Sequence, residues 1–110
     1  MAIKAGDLVR SYDFKHIRNC YVEGVVVGVY PEGRRDIGLS HPCYRIHVAR
    51  RVWDGDSCPA NGPDDYVYPP INGTRTWMDE VCNGVELLNA EDAESLRRMS
   101  IVEYFNSLED

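Results

Sequence analysis

The run Cys20-Tyr-Val-Glu-Gly-Val-Val-Val-Gly-Val-Tyr30 constrains this chain more than any other stretch. β-Branched and aromatic residues dominate it, and such a run reads as one long buried strand. By simple alternation, Tyr21, Glu23, Val25, Val27 and Val29 share one face, and Val22, Gly24, Val26, Gly28 and Tyr30 the other. Both glycines then fall on one face, where a strand bends or admits a neighbouring backbone. A strand bent in this way curls into a small barrel.

The other elements can be placed against this strand. Gly6-Asp7 is a turn signal before the alternating Leu8 to Tyr12, a first strand. Asp13 to Asn19 is polar and reads as a structured loop. Pro31 to Pro42, with two prolines and two glycines, is a long hairpin loop. In the third strand, Cys43 to Val48, alternation sends Tyr44, Ile46 and Val48 inward and Arg45 and His47 outward. The phase shift through Ala49 to Trp53 calls for a bulge near Arg50. Asp54 to Asp65 has no apolar period and reads as an excursion. Tyr66-Val-Tyr-Pro-Pro is a short edge strand, because proline cannot donate to a ladder. Asn72-Gly73 marks a turn, and Gly84 to Leu88 a last strand with Val85 and Leu87 on one face.

After Leu88 the period changes. Asn89 caps a helix with acids in its first turn and arginines in its last, matching the helix dipole. Ser100-Ile-Val-Glu103 is a capping-box pattern. Leu96, Met99, Val102, Phe105 and Leu108 form an apolar stripe, and two short helices jointed at Ser100 would let it dock, with Phe105 deepest.

The 110 residues suffice for one domain with its own core, without obligatory metal or disulfide. The expected division is a barrel over residues 1–88 and a helical extension over 89–110 packed on it. No apolar run approaches the ~20 residues of a membrane span, and Met1 to Asp7 lacks the apolar core of a secretion signal. The expected location is the cytoplasm, where Cys20, Cys43, Cys58 and Cys82 remain thiols. Cys20 and Cys43 would lie at opposite ends of a hairpin, roughly 30 Å apart, and only Cys20 with Cys58 could meet. The net charge of −6 conceals +4 over residues 1–53 and −10 over 54–110. A mildly basic half precedes an acidic one.

Gly6-Asp-Leu-Val-Arg10, the valine- and glycine-rich strand and the closing Gly84-Val-Glu-Leu-Leu88 together resemble an SH3-like barrel, the architecture of KOW-type modules and small photosystem accessory subunits. The resemblance covers residues 4–88. More narrowly, Lys4 to Arg10 combined with Tyr66-Val-Tyr-Pro-Pro-Ile-Asn-Gly-Thr74 is similar to small SH3-barrel proteins of tailed phages. It implies a mainly β fold, a small SH3-like barrel of about five strands, to which the residues after Leu88 add the C-terminal helical tail read above. The longer 54–65 segment and the acidic tail depart from a minimal module of this kind.

Catalytic and metal motifs are missing from the sequence. His41, Cys43 and His47 lack the tight pairing of a zinc site, and Cys43 and His47 stand ~13 Å apart along a strand. There is no nucleophile elbow, phosphate loop or HExxH helix. The expectation is a non-enzymatic chain without cofactor or metal.

The aromatic residues Tyr12, Phe14, Trp53, Tyr66, Tyr68 and Trp77 fall at strand ends and in loops, where Trp and Tyr serve as interface anchors. Arg34, Arg35, Arg50 and Arg51 would supply a basic rim. These ten residues are the candidate partner-binding set. The expected role is a protein-binding module, a phage accessory engaging a host protein in the host cytoplasm. The alternative is a KOW-like module using the basic half on nucleic acid. Neither role involves a membrane, and the oligomeric state stays open.

Overall fold

A computed structural model describes residues 3–14, 17–60, 62, 64–71 and 84–98. The valine-rich run becomes the middle of β2 (Ile17–Tyr30), flanked by β1 (Leu8–Phe14) and β3 (Cys43–Trp53). β4 (Asp56–Pro59), β5 (Tyr66–Val67), β6 (Val85–Leu87) and α1 (Ala90–Arg97) follow. The strands form one antiparallel sheet in the order β4-β3-β2-β1-β6, with β5 also paired to β3. The protein is thus mainly β, with a six-strand antiparallel sheet and one short α-helix among the described residues.

Both faces of the sheet are covered, which is why Val22 to Val26 are all buried. On one face Leu8, Val25 and Ala49 pack under Ala93 and Leu96 of α1. On the other, Val9, Val26, Tyr44 and Ile46 form a second cluster, joined by Ile3, Val67, Ile71 and Val85. A helix of eight residues is marginal in water; α1 is held by its Asn89 cap, whose side chain accepts from the Asp92 N–H at 2.8 Å, and by Leu96, only 2% exposed. Leu96 packs on the sheet; Met99, Val102, Phe105 and Leu108 lie outside the described residues, as does the joint at Ser100.

Two bulges set the register between β2 and β3. Glu23 faces Arg50 while Gly24 faces Val48, so Ala49 is the extra residue, beside the expected position. Val26 faces Ile46 while Gly28 faces Arg45, so Val27 is a second. This second bulge corrects the alternation read from sequence: it puts Gly24 and Gly28 on opposite faces. Gly24 still marks a close approach, since a Cβ there would lie 2.0 Å from the His47 carbonyl oxygen.

Other expectations are corrected as well. Residues 54–65 are not all excursion, because Asp54-Gly55 closes a two-residue hairpin between β3 and β4. Both residues have positive φ, 51° and 83°, as a primed turn requires. The turn is pinned by Asn19, whose amide donates to Asp54 Oδ1 and whose carbonyl accepts from the Gly55 N–H, both at 3.0 Å. β3 runs on to Trp53, and the polar segment after Tyr12 belongs largely to the ends of β1 and β2. His47 points inward, only 3% exposed, because α1 and β5 make the face it shares with Val25 an interior one.

Cys20, Cys43 and Cys58 are free thiols. Among the described residues no helix is long and apolar enough to cross a membrane, and no three His, Cys, Asp or Glu side chains converge as a metal site.

Candidate partner-binding site

The arginines expected to form a basic rim are largely closed by carboxylates. Glu23, 0% exposed, sits between Arg10 and Arg50. Arg10 donates from Nε and Nη2 to Glu23 Oε2 at 2.9 and 2.6 Å, and Arg50 Nη2 donates to Oε1. Arg10 Nη2 also reaches Asp92 Oδ2 of α1 at 3.2 Å, so the cluster ties helix to sheet. Burial pulls the Arg10 pKa down, but hydrogen bonds with Tyr12 and Glu23 outweigh it and hold the group above its ordinary value. Arg51 forms a two-pronged pair with Asp65 at 2.8 and 2.6 Å. Arg34 does the same with Asp36 at 2.8 and 2.7 Å, which keeps the Asp36 carboxyl below its usual range.

The aromatic candidates divide in the same way. Tyr12 is buried, donates to Glu86 Oε1 at 2.7 Å and meets Tyr21 edge to face at 5.7 Å, so it braces β1 against β6. Tyr66 stacks on His47 with ring centres 4.7 Å apart, and Tyr68, two residues on, is half-buried. Trp53 stands 59% exposed at the end of β3, next to the pinned turn. The side chain of Phe14 and the whole of Trp77 lie outside the described residues.

The ten candidates therefore do not form one patch. Trp53 lies beyond the Tyr21–Val52 pair, whereas Arg34 and Arg35 lie in the loop beyond the Tyr30–Cys43 pair. The two ends of the hairpin are roughly 30 Å apart at the usual rise per residue. At the loop end, Arg35 lines an open cleft of about 670 Å³ with Pro31, Glu32, Gly33, Asp36, Ser40 and Pro42.

One set of residues escaped the sequence reading. Arg45 lies over the Tyr66 ring at 4.0 Å, Arg34 over Tyr30 at 4.9 Å and Arg10 over Tyr21 at 4.3 Å. The pairs Arg10–Tyr21 and Arg45–Tyr66 depend on strand register and on β5 docking beside β3, so no spacing in the sequence announces them, whereas Arg34–Tyr30 is a local contact in the loop that follows β2.

Comparison with family models, with curated proteins and with solved structures gives no match to this chain.

Proposed function

We propose that this chain is a non-catalytic protein-binding module, a small SH3-like barrel of the kind encoded by tailed phages, which engages a protein of the host. The observation that carries the binding role is Trp53, an indole 59% exposed at the tip of a pinned hairpin. A large aromatic group held on a rigid element loses little entropy on binding and supplies much apolar area. Supporting the barrel is the convergence of Val67 from β5 and Val85 from β6, at opposite sides of the strand order, on one apolar cluster.

The closed arginines favour protein over nucleic acid as the partner. Phosphate tracts are held by several uncompensated cations, and Arg10, Arg34, Arg50 and Arg51 are each engaged by a carboxylate. The test is capture from a bacterial lysate with the full chain and with Trp53→Ala. Loss of a protein partner with the variant, unaffected by nuclease, supports the reading. Capture that depends on nucleic acid, and falls by orders of magnitude between about 50 and 200 mM salt, overturns it in favour of the KOW-like alternative.

A further inference from the structure

Arg45 differs from the other half-buried arginines. Arg10, Arg34, Arg50 and Arg51 are each neutralised by Asp or Glu, whereas Arg45 has no carboxylate partner among the described residues. Its Nε is shielded from solvent and makes no hydrogen bond there. A shielded guanidinium donor without an acceptor costs free energy.

The group is also held in place. Its guanidinium rests on Tyr66 at 4.0 Å, and Tyr66 is stacked at 26° on His47, itself buried. Across the ladder stands Gly28, whose missing side chain leaves room for an aromatic ring. The Tyr30 ring folds back over Gly28, its Oη 2.6 Å from where a Cβ would be, and carries Arg34 on its face. Because directly paired residues share a face, the Val27 bulge brings Gly28 and Tyr30 to the side of Arg45 and His47.

We infer that Arg45, held on Tyr66, is a receptor for a carboxylate of the protein partner; the inference rests on the protein-binding reading above. A guanidinium fork matches a carboxylate with two parallel hydrogen bonds, and a fork already fixed by stacking loses little freedom on binding. A bound carboxylate would pair with the Nη groups, which are not shielded, and supply the counter-charge that the fold withholds. A single fork without a carboxylate among the half-buried arginines of the described residues suits one isolated oxyanion rather than a run of phosphates.

The test follows the Arg45 Nε–H signal by ¹⁵N NMR in the intact chain. The probes are an end-capped hexaglutamate, an end-capped hexaglutamine, and a hexaalanine with a free C-terminal carboxylate. The expected result is a saturable shift with a carboxylate-bearing peptide and none with hexaglutamine. Whichever carboxylate peptide saturates first identifies the source as a side chain or a chain terminus. Arg45→Lys, which keeps the charge but loses the fork, should bind about tenfold more weakly or worse. An unmoved Arg45 signal at millimolar peptide, or a folded Arg45→Lys variant that binds as well as the parent, overturns the inference. If capture by Trp53 persists while hexaglutamate and hexaalanine both leave Arg45 unmoved, this inference fails alone. A thymidine hexanucleotide that saturates Arg45 below either peptide overturns the carboxylate assignment, and nuclease-sensitive capture would take the protein-binding reading with it.

Discussion

Adding one methyl group at Gly24 or at Gly28 should have very different consequences, although the two glycines lie four residues apart in β2. Neither has the left-handed backbone that only glycine favours, so the effect is one of space. At Gly24 the new Cβ would lie 2.0 Å from the His47 carbonyl oxygen and 2.9 Å from its carbon. Carbon–oxygen contacts settle at roughly 3.3–3.6 Å, so β2 and β3 would have to part by more than about 1 Å. Overpacking of this kind costs ~1–3 kcal/mol, and each ladder hydrogen bond stretched open adds about 1. The expected loss is therefore about 2–4 kcal/mol, or a fall of roughly 10–25 °C in Tm for a domain of this size. At Gly28 the methyl would meet the Tyr30 ring, with Oη at 2.6 Å and Cζ at 2.8 Å, and that side chain can swing out. Gly28→Ala should cost under about 1 kcal/mol. Thermal and denaturant unfolding followed by circular dichroism measure both variants. Equal losses, or a Gly24→Ala variant as stable as the parent, would refute the argument from strand approach.

Leu96→Ala should cost about 2–4 kcal/mol in denaturant unfolding, since Leu96 packs with Ala93 against Leu8, Val25 and Ala49. Glu23→Ala should destabilise by about 3–5 kcal/mol on the same assay, because it leaves Arg10 and Arg50 facing each other without their shared carboxylate. In a thiol-reagent time course on the native protein, exposed Cys58 should react well before buried Cys43, whose pKa burial pushes up and whose thiolate is correspondingly scarce. After unfolding without reductant, all four cysteines should titrate; two missing thiols would point to a bridge.

The strands that carry much of the core were legible because their residues are β-branched and alternate, and Asn89 was legible because a cap is a local device. What could not be read depended on register. Simple alternation put Gly24 and Gly28 on one face, and only the pairing with β3 reveals that Val27 is an extra residue. His47 looks like an outward residue on a strand whose other face is apolar; it is interior because β5 returns beside it. β4 was missed for a different reason. Asp54-Gly55 is a strong hairpin signal, but the polar residues after it, Asp56 and Ser57, are those of a protected edge strand and imitate a loop. Of the site, Trp53 was legible as an aromatic residue at a strand end, while the neutralised state of Arg50 and Arg51 depends on Glu23 and Asp65, each more than ten residues away.

The pairing of β1 with β6 also bears on the order in which the molecule assembles. Val9 meets Leu87 across about 78 residues of chain, whereas β2 and β3 meet across the loop between Tyr30 and Cys43, about 13 residues. Closing the longer loop costs roughly 1.6 kcal/mol more in chain entropy, and in return only three residue pairs form. The hairpins that join β1 to β2, β2 to β3 and β3 to β4 across short connections therefore come together before β6, which with the helix behind it joins a sheet already in place. In the reverse direction the same edge lets go first, so amide exchange at Val85–Leu87 and in α1 should be fast while Val22–Val26 remains protected to the limit of global unfolding.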